Sequence, residues 1–104
     1  MTLPKYVELT STNAAKLFGM YPQKGTLAIG SDADLVIFDP NKKHTLSAKT
    51  HHMNTDYSGY EGREVTGKTK TVLLRGKVAI DSGEVGVEKG YGKYIFRNKV
   101  NGKL

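Results

Sequence analysis

The stretch Thr69-Lys70-Thr71-Val72-Leu73-Leu74-Arg75-Gly76-Lys77-Val78-Ala79-Ile80-Asp81-Ser82-Gly83 decides the class of fold. Thr69–Leu74 is a short run of β-branched and aliphatic residues, the composition of a strand. Gly76-Lys77 sits where a hairpin turns, Val78–Ile80 returns, and Ser82-Gly83 turns again. Upstream, Leu35–Phe38 is a continuous apolar run closed by Asp39-Pro40-Asn41, the pattern of a strand covered on both faces. Between them, residues 41–62 are polar, with Gly59, Gly62 and scattered Tyr, and read as an ordered loop or short strands. Earlier still, Pro22 and Lys24-Gly25 mark a turn, Thr26–Ile29 a short strand and Gly30-Ser31-Asp32 a further turn.

Before Tyr21 the pattern is helical. Thr2 is placed to cap a first short helix whose opening turn tolerates Pro4. Ser11, Thr12 and Asn13 compete for backbone hydrogen bonds, so they are expected to break that helix and cap a second. Ala14 to Phe18 continue as the second helix, and Gly19 is placed to end it in the left-handed conformation. The predicted fold is therefore mainly β with two short N-terminal helices, an α+β arrangement around an open sheet or partial β-sandwich. The divisions are residues 1–21 (helical), 22–88 (sheet) and 89–104 (an extended arm). Few strand residues are strongly apolar-patterned, thin for a sandwich that stands alone.

At 104 residues the chain suits one small domain. Apolar residues are 38% and charged residues 25%, an ordinary globular composition, not a disordered one. The absence of cysteine removes disulfides, thiolate zinc sites and cysteine nucleophiles together. No apolar stretch matches a membrane span or a signal-peptide core, so a cytoplasmic location is expected. The net charge of +6 raises nucleic acid or an acidic membrane as partners. A piece of a longer chain, however, need not be charge-balanced.

No motif carries chemistry. His44, His51 and His52 are the only histidines, and adjacent ones on a strand point to opposite faces and cannot chelate together. Asp32 and Asp34 would share a face on a strand and could serve acid–base work or a hard cation. An Asx-turn at Asp32, with Asp34 entering the strand, explains them more simply. Ser11, Ser31, Ser47, Ser58 and Ser82 lack the flanking glycines of a nucleophile elbow. Gly90-Tyr91-Gly92 lacks the third glycine of a dinucleotide fingerprint. In the arm, Lys89, Lys93, Arg97 and Lys99 interleave with Tyr91, Tyr94 and Phe96. That is either a single-strand nucleic-acid surface or an arm that packs its rings on a neighbour and leaves its charges in water. The expected catalytic, cofactor-binding and metal-binding residues within the chain are none.

Taken in order, the segments resemble a known family. Val7 to Pro22 (VELTSTNAAKLFGMYP) is similar to the segment that follows the catalytic barrel in cyclic amidohydrolases. Lys24 to Pro40 (KGTLAIGSDADLVIFDP) resembles that superfamily's re-entry into its small β-sandwich. Thr50-His51-His52-Met53-Asn54, Asp56-Tyr57 and Tyr60-Glu61-Gly62 resemble the hydantoinase and dihydropyrimidinase branch. Val72 to Val78 with Gly83-Glu84 is similar to the last sandwich strands, and Gly90 to Tyr94 to the C-terminal arm. One departure is Ala14, where the family usually has Pro. Alanine is an excellent helix former there, so a little flexibility and no change of fold is expected.

The resemblance implies the C-terminal portion of a TIM-barrel-plus-sandwich enzyme that opens cyclic amides. It further implies two metals, typically zinc, held by barrel residues that no position here matches. The function expected is a non-catalytic, structural and assembly portion of such a hydrolase, inactive alone. The alternative is an independent binding module that takes nucleic acid through the basic aromatic tail. An open edge and apolar face suggest self-association or pairing with the remainder of a parent enzyme.

Overall fold

The computed structural model describes residues 1–99. They form two compact units: Met1–Asp34 together with the tail from Glu88 onward, and Leu35–Val87.

The first unit opens on the helical segment. Thr2 caps it, its Oγ1 accepting from the Lys5 backbone N–H at 3.3 Å, and Pro4 sits in the first turn, where no N–H is needed. Helix α1 (Leu3–Val7), a π-helical turn (Glu8–Thr12) and helix α2 (Asn13–Leu17) follow one another directly. The break expected at Ser11-Thr12-Asn13 does not occur. Thr12 and Asn13 keep right-handed helical backbone, and the Asn13 N–H reaches back five residues to the Glu8 carbonyl. The helix widens here without ending, and Thr12 places its hydroxyl on a distant carbonyl instead of competing for a local backbone donor. Thr10 Oγ1 donates to the Tyr6 carbonyl at 2.8 Å, and Thr12 Oγ1 donates to the Gly25 carbonyl at 2.8 Å. The helix then ends as expected, with Gly19 at φ +71°.

Residues 22–34 close a loop, and the strand expected at Thr26–Ile29 is absent. Its two ends are tied by polar groups. Ser31 Oγ donates to the Pro22 carbonyl at 2.7 Å, and the Asp32 N–H donates to the Gln23 carbonyl at 2.9 Å. With the ends pinned, the intervening residues form the bow of a compact loop and have no strand to pair with. Leu27 and Ile29 stand exposed on it. Gly25 passes so close to α2 that a Cβ there would lie 2.5 Å from Ala15 Cβ. Only glycine allows that approach, and Ala15 is buried beneath it. The tail has no regular structure, but the Asn98 N–H donates to the Gly19 carbonyl at 2.8 Å. The last five residues of the expected arm, 100–104, lie outside the described residues.

The second unit is a four-stranded antiparallel meander, β1 (Leu35–Thr45), β2 (Glu64–Leu74), β3 (Lys77–Asp81) and β4 (Glu84–Val85), in that spatial order. The strands expected around Val36, Val72 and Val78 are all present. Arg75 and Gly76, at φ +48° and +81°, make the two-residue turn from β2 to β3, and Ser82 and Gly83, at +50° and +93°, the turn from β3 to β4. Both have the left-handed backbone that matches sheet twist.

Strand β1 runs further than its apolar run. The stop expected at Asp39-Pro40-Asn41 is instead a bulge: Asp39 pairs with Lys68, Lys43 with Thr66, and the residues between bow outward. Proline is tolerated because β1 is an edge strand and the bulge needs no ladder donor there. Opposite the bulge lies Gly67 at φ +104°, with the Phe38 ring against it.

The sheet has little core. Ala79 is its one buried apolar residue among those described, while Val36 is 64%, Ile37 51% and Phe38 52% exposed. Neighbours along a strand point to opposite faces, so both faces of β1 are about half exposed at these positions, against the expectation of two covered faces.

Candidate functional site

Each sequence candidate has a definite place. His44 lies on β1 opposite Val65, and its Nδ1 is buried without a hydrogen-bond partner. His51 follows the 3-10 turn Ala48–Thr50, and its Nδ1 is likewise buried and unpartnered. The His52 Nε2 is 2.9 Å from the Gly83 carbonyl, which ties the segment after that turn to the β3–β4 hairpin. The carbonyl can only accept, so Nε2 carries the proton in this contact. Among the described residues no three His, Asp or Glu side chains converge as a metal site requires. These residues therefore do not fit the two-metal centre that the resemblance implies for a parent enzyme.

Asp32 and Asp34 converge on one cation. The Lys24 ammonium lies 2.9 Å from Asp32 and also pairs with Asp34, while Gln23 Nε2 donates to Asp32 at 3.1 Å. Partial burial pulls the Lys24 pKa down, but hydrogen bonds and charge from Asp34 and Asp32 outweigh it and hold the ammonium above its ordinary value. A carboxylate pair committed to a lysine has its acceptors occupied and its charge balanced. It is a clasp for the 22–34 loop, not an acid–base dyad. The sequence reading missed Lys24; the cue was a lone lysine just before Gly25, facing two carboxylates across a short loop.

A second clasp joins the ends of the polar region between β1 and β2. Glu61 accepts from the Ala48 N–H and from the Ser47 hydroxyl, both at 2.7 Å. The Ala48 hydrogen bond first, then that of Ser47 and the charges of Lys49 and His51, hold the carboxyl below its ordinary value against a small desolvation cost. Ser47 is thus a turn former and caps the 3-10 turn through Lys49.

In the tail, Tyr94 and Phe96 pack edge to face, 5.0 Å between centroids at 79°, and both are more than four-fifths exposed. Their edge-on arrangement satisfies the rings against each other. It does not present the parallel faces that stack successive bases.

A groove of about 360 Å³ lies at the end of α2, lined by Leu17, Phe18, Arg97, Asn98 and Lys99. Its two halves are far apart in sequence, one at the helix end and one in the arm.

The amidohydrolase family's sequence profile matches residues 1–79, and the chain belongs to that family. Within it, the D-hydantoinase of Geobacillus stearothermophilus is 48% identical over 99 residues, 95% of this chain and 21% of that one. Rat dihydropyrimidinase is 46% identical over 93 residues, 89% of this chain and 18% of that one. Among solved structures, the dihydropyrimidinase of Brevibacillus agri NCHU1002 superposes with a TM-score of 0.92 at 47% identity, over 96% of this chain and 22% of that one. The D-hydantoinase of Bacillus sp. AR9 gives 0.91 at 51%, with the same coverage. The chain spans about a fifth of the length of the curated relatives it matches. Nothing in the comparisons points to nucleic acid.

Proposed function

We propose that this chain is the C-terminal, non-catalytic portion of a hydantoinase- or dihydropyrimidinase-like enzyme whose remaining part opens cyclic amides with a two-metal centre. The observation that carries the proposal is the alignment of 95% of the chain with only 21% of a D-hydantoinase. Two features of the fold support it. A four-stranded sheet with both faces of its edge strand wet is a layer awaiting another layer. The acids and histidines that metal chemistry would need are instead held in turns, on a β-strand or in a lysine clasp.

On this reading β1 and the apolar positions Val36, Ile37 and Phe38 are contact surface for the rest of such an enzyme. Lacking it, the chain associates with copies of itself. The test is complementation. A D-hydantoinase truncated by the segment that this chain matches is refolded with and without the chain, then examined by size-exclusion chromatography with light scattering. A stoichiometric complex is expected, with Phe38→Asp abolishing it. A chain that stays a clean 11.4 kDa monomer, binds no apolar dye and ignores the truncated enzyme overturns the proposal.

A further inference from the structure

The groove at the end of α2 belongs to neither clasp. Its floor is apolar: Leu17 and Phe18 are 56% and 53% exposed, large side chains open to solvent at one place. Its other wall is cationic, from Arg97 and Lys99, and the Asn98 N–H bond to the Gly19 carbonyl holds that wall beside the helix end. Near the helical segment and the 22–34 loop, charge is already allocated. Glu8 pairs with Lys5, Asp32 and Asp34 pair with Lys24, and Lys16 sits over the Tyr21 ring at 5.2 Å. Neither Arg97 nor Lys99 forms an ion pair with any described residue. At about 360 Å³ the groove is at the small end of ligand sites, which are mainly apolar with a few placed polar groups.

We propose that this groove binds small amphiphilic carboxylates, with the apolar tail on Leu17 and Phe18 and the carboxylate between Arg97 and Lys99. A neutral tail alone would gain only the apolar contact, and a cationic head would meet two like charges. Guanidinium suits a carboxylate because two parallel N–H groups match its two oxygens. Octanoate is a probe of the right class and stays monomeric at millimolar concentration. The full chain, isotopically labelled, is titrated with octanoate, 1-octanol and octylammonium, and amide and side-chain shifts are followed. Saturable shifts with octanoate, confined to residues 17–19 and 97–99, are expected at millimolar affinity. Octylammonium and octanol should bind at least tenfold more weakly. The double variant Arg97→Gln, Lys99→Gln should lose at least tenfold for octanoate while its octanol binding is unchanged. Phe18→Ala should weaken both. If the variants do not fold, the ligand comparison on the unaltered chain still decides. Equal binding of the three probes overturns the proposal, as do shifts spread over Val36 and Phe38 or a linear response without saturation.

Discussion

Phe38 lays its ring against Gly67, and the two residues explain each other. A Cβ on Gly67 would lie 2.6 Å from the ring's Cζ, and the backbone there is at φ +104°, a conformation side-chain-bearing residues rarely adopt. Gly67→Ala therefore meets both a clash and strain, and its expected cost is about 1–3 kcal/mol, read as a lower urea midpoint at unchanged slope. An unchanged midpoint would mean the ring moves aside freely. Glu61 gives a second residue-scale expectation. Its carboxyl lies below its ordinary value of 4.5 in the folded chain. A carboxyl lowered on folding stabilises fully above its unfolded value, and that stabilisation is lost as pH falls through the folded value. The Ala48 amide should keep its exchange protection at pH 6 and lose it progressively below about pH 4.5. Glu61→Gln should show low protection with no such pH dependence. Glu61 was legible from sequence only as part of a family-like segment. Its partners lie 13 and 14 residues away, and no local spacing reveals a carboxylate that caps a distant turn.

At the scale of elements, the β2–β3–β4 meander was readable because its signals are local: β-branched runs and turn-forming pairs at hairpin spacing. Thr26–Ile29 misled because a short apolar alternation carries no record of the Ser31, Asp32 and Lys24 contacts that pin the loop's ends. The helix misled in the opposite sense. Ser11, Thr12 and Asn13 have poor helix propensity, yet Thr12 bonds across to Gly25 and the backbone stays helical as a π turn. Strand β1 shows the same limit, since an edge position and a bulge admit Pro40 where a central strand would have stopped. The turn Ser82-Gly83 offers a direct test of local control. Ser82 is at φ +50°, which asparagine tolerates better than serine, and Asn-Gly is the preferred pair for such turns. Ser82→Asn should raise stability by a few tenths to about 1 kcal/mol, seen as a higher urea midpoint. A lower midpoint would mean that the turn is held by its surroundings and not by its own backbone preference.

At the scale of the whole molecule, composition excluded cysteine chemistry, and no helix among the described residues is long and apolar enough to cross a membrane. The family was legible because the ordered set of short segments was, though each alone was weak. An open edge and apolar face were expected from the resemblance, but not that they would fall on Leu35–Phe38, since a four-residue apolar run looks the same whether or not a layer covers it. The central claim is that the ring-opening chemistry of a hydantoinase-like enzyme lies outside this chain. It rests on the alignment of 95% of the chain with only 21% of a D-hydantoinase. The most direct measurement is a ring-opening assay of the purified chain on hydantoin and dihydrouracil with zinc supplied. The account predicts no turnover above the uncatalysed rate and no stoichiometric zinc retained after dialysis. Turnover that disappears when His51 or His52 is replaced by alanine would contradict it.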